Sequence, residues 1–440
     1  MESLALIGFA VAGAIAASIL ALIPALHIYT VAGLLVLVAG SLSPILSLEQ
    51  LAMLLLGMVV GYSMLSTIPA TFLAAPDESS VFIVLPAQKW LMQRRGYEAV
   101  ILTGVGGLGG LLVVVVLSPV TGEAARILQQ IVAPHLGWIL SAIIAFMLMS
   151  EWPKSGERGR TRLSRFLAAW TGLGAGILTF LLSGLLGFII MYRSVVPTEI
   201  SFQNLMPAFL GLFAVPAVLT NFIAGVAIPP QHIARSLDVS PSHLLRGIAS
   251  GTMGGLFAAF FPVVTGGVGG FLAGHATAQR DDRVFILSQG ASKTVYYVGG
   301  FLLFFVPGMS LTRGGMAATL STIYAPDSTP LVYFTAVAAV AVSGAVSFLL
   351  LVVLSRLAIR VVQRVPYRVT NAATLAILVT LVAALTGAGG LLIMLAATGI
   401  GLIPTLFGSR RMNCLGVLLI PITLNLLGVG PSVARFLGLI

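Results

Sequence analysis

Charge is scarce in this chain. Of 440 residues only 8% are Asp, Glu, Lys or Arg, while 58% are hydrophobic and the mean hydropathy is +1.08. That composition excludes an ordinary soluble domain. Acidic residues are scarcer than basic ones, 13 against 23, and the resulting net charge of +10 falls in short gaps between apolar runs. A nucleic-acid binder would spread such charge over an exposed face. Gaps between spans instead follow the positive-inside rule, so membrane lipids are expected partners and nucleic acid is not. A single cysteine, Cys414, allows neither an intramolecular disulfide nor a cysteine metal cluster. HExxH and GxSxG are both missing, and no cluster of His, Cys and carboxylate has metal-ligand spacing. Hydrolytic chemistry, a resident metal and a cofactor therefore find no support. No basic stretch precedes the first apolar run, Leu4 to Leu22, which reads as a retained helix and not as a cleaved signal.

Apolar runs dominate what remains. At about 20 residues per crossing they leave room for roughly ten transmembrane helices plus re-entrant pieces. The expected fold class is an all-α polytopic membrane protein, multi-pass in the cell membrane. Its organising stretch is Leu244 to Gly274, a membrane-length run interrupted by Pro262 and then by Gly266, Gly267, Gly269 and Gly270. Proline removes a backbone donor and paired glycines weaken a helix, so a break is expected here. In hydrocarbon such a break is tolerated only against protein or a water-filled cavity, which is where transporters place substrates and coupling ions. The alternative is that the glycines only let helices pack closely. A second break is expected at Pro24 to Thr30, which includes His27.

The loop 151–165 carries Lys154, Arg158, Arg160, Arg162 and Arg165 against Glu151 and Glu157, and is the expected cytoplasmic face. Arg356, Arg360 and Arg364 fall four apart beyond the span Leu331 to Leu354, as on an interfacial helix serving as topological anchor or lipid contact. Three landmarks recur in order: Pro24 with Pro262, Arg95-Gly96 with Arg313-Gly314, and the Ser183 to Gly187 run with the Gly399 to Gly408 region. They suggest two related membrane repeats, 1–203 and 204–440, with an insertion near Asp77 in the first.

Few residues in the apolar runs can carry chemistry. Asp77 and Glu78 are adjacent carboxylates at plausible membrane depth, suited to taking up a proton or binding a cation. The competing reading makes Pro69 to Pro86 an interfacial loop with both groups solvated. Lys293, the one lysine inside an expected span, would bind an anion or pair with Asp77 or Glu78, or else snorkel from a helix end. Thr265 to Gly270 would present backbone amides at the start of a half-helix, a suitable anion site. His27 would relay protons or hydrogen-bond substrate, or serve in packing.

Several segments together resemble the large membrane subunit of the tripartite tricarboxylate transporters, in its shorter stand-alone archaeal form. They are Leu22 to His27, Ala75-Pro-Asp-Glu78 running on to Pro86, Arg95 to Ala99, Phe261-Pro262 with the glycines after it, and Gly401 to Pro404 through Arg410-Arg411 to Pro421. Where that family tends to have Pro-Gly, this chain has Pro24-Ala25 and Pro262-Val263. The resemblance implies a secondary transporter for an organic anion such as a carboxylate. The resemblance to the shorter stand-alone form leaves a soluble binding protein open as a partner. A shorter likeness, Arg246-Gly247 followed by Pro262 to Gly267, links the chain to the polyprenyl-phosphate translocases. The amide-rich half-helix suits a lipid phosphate as readily as a carboxylate.

The resulting expectation is a non-enzymatic transporter coupled to protons or sodium. Pro24, His27, Thr30, Pro262, Thr265, Gly266, Gly267, Gly269, Gly270, Ser292, Lys293 and Thr294 form the expected substrate-binding set. Asp77, Glu78 and Ser79 form the ion-coupling set, and a homodimer is one assembly the reading allows. A lipid-carrier flippase is the alternative, and an intramembrane enzyme using the Asp77 and Glu78 pair is the minor one.

Overall fold

The computed structural model describes residues 2–24, 26–153, 160–193, 195–196, 204–225, 227–309 and 311–440. Among them there is no strand, and the chain is an all-α polytopic membrane protein. In chain order the helices are α1 (Glu2–Leu20), α2 (Ile28–Leu37), α3 (Ala39–Leu42), α4 (Leu48–Leu65), α5 (Thr67–Phe72), α6 (Val84–Met92) and α7 (Gly96–Val132). Next come α8 (Leu136–Met149), α9 (Arg162–Tyr192), α10 (Leu205–Phe209), α11 (Val215–Ala224), α12 (Pro241–Phe260), α13 (Gly266–Ala276) and α14 (Asp282–Leu302). The chain ends with α15 (Gly314–Leu320), α16 (Pro330–Arg364), α17 (Tyr367–Phe407), α18 (Gly416–Leu426) and α19 (Gly430–Phe436).

Seven of the described helical stretches are long and apolar enough to cross a membrane, or eight if the bent pair Arg411–Leu426 and Gly430–Phe436 is one span. The expected count of roughly ten is not reached by this measure. The difference has a physical source: α12 and α14 carry glycine, serine and ionisable groups that lower their hydropathy, and α13, after the break, is only 11 residues long. A helix surrounded by protein has no need of an apolar surface.

Two compact units make up the fold: 1–128 with 221–374, and 129–220 with 375–440. These units do not follow the 1–203 and 204–440 division. Compactness is a different property from duplication, so the two repeats stay a proposal. In the first unit α1 packs on α4 and α16, while α12 packs on α13 and α14. Small residues set these approaches: a Cβ on Gly57 would lie 1.7 Å from the Ala10 carbonyl oxygen, and one on Gly269 would lie 2.1 Å from that of Gly254. In the second unit α18 lies against α8 and α9, and Ser183 Oγ donates to the Asn413 carbonyl at 3.2 Å.

One expectation changes. The arginines at 356, 360 and 364 are the last turns of α16 itself and do not form a separate interfacial helix. Glu151, at the start of the basic loop, accepts hydrogen bonds from the Arg410 N–H at 2.6 Å and the Asn413 side chain at 3.1 Å. Lys154, Glu157 and Arg158 of that loop lie outside the described residues.

Candidate functional site

The break in the organising stretch falls between Phe260 and Gly266. Pro262 cannot donate into the preceding turn, and Phe261 is already extended. Val263 then takes a left-handed conformation, φ +56°. A β-branched side chain is strained there, and glycine is the residue that adopts this conformation freely. Thr265 restarts the helix as N-cap of α13, its Oγ1 accepting the Val268 N–H at 3.4 Å. The same hydroxyl donates to the Glu78 carbonyl oxygen at 3.2 Å.

Glu78 and Asp77 sit in a buried turn after α5. Glu78 is 3% exposed and both neighbouring serines are buried, so the solvated interfacial loop is not what forms. The two carboxylates are partnered unequally. Asp77 Oδ1 accepts from the Ser79 N–H at 3.2 Å, the Ser80 N–H at 2.7 Å and Ser80 Oγ at 2.5 Å, and Oδ2 accepts from the Tyr62 hydroxyl at 3.0 Å. Glu78 Oε1 faces Tyr297 Oη at 3.0 Å, His27 Nε2 at 3.3 Å and Ser79 Oγ at 3.4 Å. Glu78 Oε2 is buried with no hydrogen-bond partner among the described residues. A buried carboxylate oxygen left unsatisfied is costly, and a proton or a cation arriving there would remove that cost.

His27 reaches this pair from the other break. Its ring caps α2, with Nδ1 accepting the Tyr29 N–H at 3.1 Å. The neutral imidazole therefore carries its hydrogen on Nε2, facing Glu78 Oε1 and, at 3.1 Å, Tyr297 Oη. Tyr297 Oη also lies 3.2 Å from Asp77 Oδ2. A phenol has one hydrogen, so Tyr297 serves one carboxylate at a time. His27 Nε2 and one oxygen from each of Asp77 and Glu78 lie within 4.8 Å of one another. Tyr29, Tyr62 and Tyr297 enclose the ring of His27, their centroids 4.5, 5.1 and 6.0 Å from it.

Helix α14 supplies the remaining polar groups. Successive residues on a helix point about 100° apart, and Ser292, Lys293 and Thr294 accordingly meet three different neighbours. Ser292 Oγ donates to the Gly266 carbonyl at 2.6 Å, tying α14 to the start of α13. Lys293, 2% exposed and mid-helix, donates to Ser66 Oγ at 3.0 Å, so it does not snorkel from a helix end. Its charge bears on Asp77 and Glu78 through space. The Thr294 hydroxyl faces Gly107 of α7 and stays outside the cluster.

The structure thus brings together His27, Asp77, Glu78, Ser79, Thr265, Gly266, Gly267, Ser292 and Lys293. Gly267 abuts the Ser79 carbonyl, whereas Gly269 and Gly270 pack on Gly254 and Gln289. Close packing therefore accounts for these glycines, and the break is made by Pro262, Val263 and Thr265. Pro24 and Thr30 are buried on either side of His27, and the Thr30 N–H bonds the His27 carbonyl at 3.0 Å. Ala25 lies outside the described residues.

Sequence reasoning missed Tyr29, Tyr62, Tyr297, Ser66 and Arg313. Arg313, N-cap of α15, lines a cavity of about 30 Å³ with Pro262, Val263, Tyr29, Tyr296 and Tyr297, which is room for about one water. Arg313 Nε is buried without a hydrogen-bond partner among the described residues, and its guanidinium lies 5.8 Å from the Phe260 ring. The sequence had marked the breaks at Pro24 to Thr30 and at Pro262, and Arg313-Gly314 as a landmark, but nothing in it joined them.

Comparison with known proteins bears on what this arrangement does. Residues 7–416 match the family described as the tripartite tricarboxylate transporter TctA family. An uncharacterized protein of Methanocaldococcus jannaschii is 23% identical over 367 residues, covering 82% of each chain. No solved structure matches.

Proposed function

This chain belongs to the tripartite tricarboxylate transporter TctA family, and from that premise we propose that it is a secondary active transporter of a small organic anion of the carboxylate class, coupled to protons or sodium. The observation that carries this reading is the double attachment of Glu78. Its side chain meets the cap of α2 through His27, and its backbone carbonyl meets the cap of α13 through Thr265. A proton or sodium ion arriving at Glu78 Oε2 would alter the start of both half-helices at once. By linkage, a substrate that repositions either half-helix must alter the affinity of Glu78 for that ion by the same factor.

Positive charge for the anion is at hand in Lys293 and Arg313, both beside the broken helix. Asp77, held by donors on both oxygens, acts as a fixed anchor, and Tyr297 passes its one hydrogen between the two carboxylates. Alternating access then requires the half-helix starts to move with Glu78, and no covalent step is needed.

The test is uptake of radiolabelled citrate and a dicarboxylate into proteoliposomes under an inward proton or sodium gradient. Expected is gradient-dependent uptake, lost when an ionophore dissipates the gradient and lowered about tenfold or more in Lys293→Ala, a change of about 1.4 kcal/mol. Absence of uptake under both gradients, with thermal stabilisation by a short polyprenyl phosphate alone, would replace this reading with a lipid-carrier translocase.

A further inference from the structure

A second cavity, of about 560 Å³, lies in the first unit, away from the residues of the carboxylate cluster. Three guanidinium groups line it. Arg356 and Arg360 come from one face of α16, and Arg235 comes from the segment 227–239. The Arg356 Nε–H donates to the Tyr97 hydroxyl at 3.3 Å, and Tyr97 also lines the cavity.

The arginine-bearing segment is fixed in place. Gln231 is buried, accepts the Gly96 N–H at 2.9 Å, and donates to the carbonyls of Leu91 at 2.9 Å and Pro229 at 2.7 Å. The His232 N–H adds a bond to the Arg94 carbonyl at 2.9 Å. Three like charges line one space, with no carboxylate among the residues that line it. The nearby acids are engaged elsewhere: Asp238 pairs with Arg283, and Glu98 with Arg95. Among the described residues none of the three arginines is in an ion pair. A topological anchor needs basic charge near a helix end. It needs no third arginine from another segment lining the same space. Exposed arginines that line one space without a carboxylate partner suit phosphate oxygens, which accept the planar guanidinium fork bidentately. Ile101 and Leu237 make part of the wall apolar, and Val353 and Leu357 are exposed along the adjacent turns of α16.

We propose that this cavity binds a phosphate group, held by Arg235, Arg356 and Arg360, and that its source is the headgroup of an anionic phospholipid whose acyl chains lie along α16. The inference is independent of the transport reading.

Arg364 provides the control, because it continues the arginine stripe of α16 but does not line the cavity. Native mass spectrometry of the full-length protein would compare retention of phosphatidylglycerol with that of phosphatidylcholine of the same acyl chains. Thermal stability with inorganic phosphate would test a soluble source. Phosphatidylglycerol should be retained about tenfold over phosphatidylcholine. That preference should vanish in Arg356→Gln with Arg360→Gln, weaken in the paired Lys substitutions that keep charge without the fork, and survive in Arg364→Gln. The Lys pair also keeps the test decisive if the Gln pair fails to fold. Stabilisation by inorganic phosphate with the same variant pattern and no lipid preference would support the site and assign it a soluble ligand. Equal loss in the Gln pair and in Arg364→Gln, or no headgroup preference with no phosphate effect, would overturn it.

Discussion

Helices α2 and α13 both start after a break, and both starts hold Glu78, but by different means. Thr265 caps α13 with a hydroxyl that has one state. It takes the Val268 N–H and gives its hydrogen to the Glu78 backbone. His27 caps α2 with a ring that has two states. Its Nδ1 takes the Tyr29 N–H only while that nitrogen is unprotonated, and its Nε2 reaches the Glu78 side chain. An imidazolium would give up the cap, worth about 1 kcal/mol, and gain a charge pair with Glu78. The start of α13 is therefore a fixed attachment, whereas the start of α2 is tied to the proton inventory of the cluster. The two adjacent carboxylates repeat this division, with Asp77 saturated by donors and Glu78 left with an open oxygen.

The sharpest way to break the comparison is to neutralise each carboxylate in turn. Asp77→Asn puts an amide where donors converge on both oxygens. Hydrogen bonds to a charged acceptor are worth about 1.5–3 kcal/mol each, so melting in detergent should show a loss of about 3 kcal/mol or more. Glu78→Gln keeps an oxygen toward Tyr297 and adds a donor at the unpartnered position. Its stability should stay within about 1 kcal/mol of wild type, while gradient-driven uptake falls about a hundredfold, near 2.7 kcal/mol. Were Glu78→Gln to unfold the protein and Asp77→Asn to spare it, the two roles would be the reverse of those assigned here.

The caps come next. Thr265→Val removes a cap and should lower stability by about 1 kcal/mol at every pH, with Thr265→Ser near wild type. His27→Asn keeps a capping oxygen but is too short to meet Glu78. The stability difference between wild type and His27→Asn should change with pH across the imidazole titration range, whereas that for Thr265→Val should not. Parallel pH profiles for the two variants would remove the distinction between a switchable and a fixed start.

What was legible in the sequence followed from rarity. A proline amid paired glycines marks a break, and two adjacent carboxylates in an apolar run mark a site, because both are expensive in hydrocarbon. The tyrosines were invisible for the opposite reason: an aromatic in an apolar run is ordinary, and its hydroxyl finds a partner as far as 270 residues away in sequence. Thr294 was drawn in with Ser292 and Lys293 by adjacency, although a helix turns neighbouring side chains to different faces. The arginine stripe was separated from its span by composition, and α16 simply continues through it. The apolar count falls below roughly ten because glycine-rich, polar runs such as α12 and α14 have the length of a span without its hydropathy.

The smallest expected effect concerns Val263, where the break itself is strained. A non-glycine residue in the left-handed region costs about 1–2 kcal/mol, and Val263→Gly would relieve it. Glycine also enlarges the unfolded ensemble, which offsets about 0.5–1 kcal/mol of that gain. Val263 is only half-buried, so little packing is lost with its side chain. The net expectation is a stabilisation of about 0.5 kcal/mol, read as a small rise in melting temperature, with Val263→Ala between glycine and wild type. A fall of about 1 kcal/mol or more would mean that contacts of the valine with the Tyr29 and Tyr297 wall outweigh its backbone strain. In that case the strain at this turn is held by packing of Val263 against the cavity it lines. If stability rises while uptake slows, the strain is instead part of what lets α13 move against Glu78.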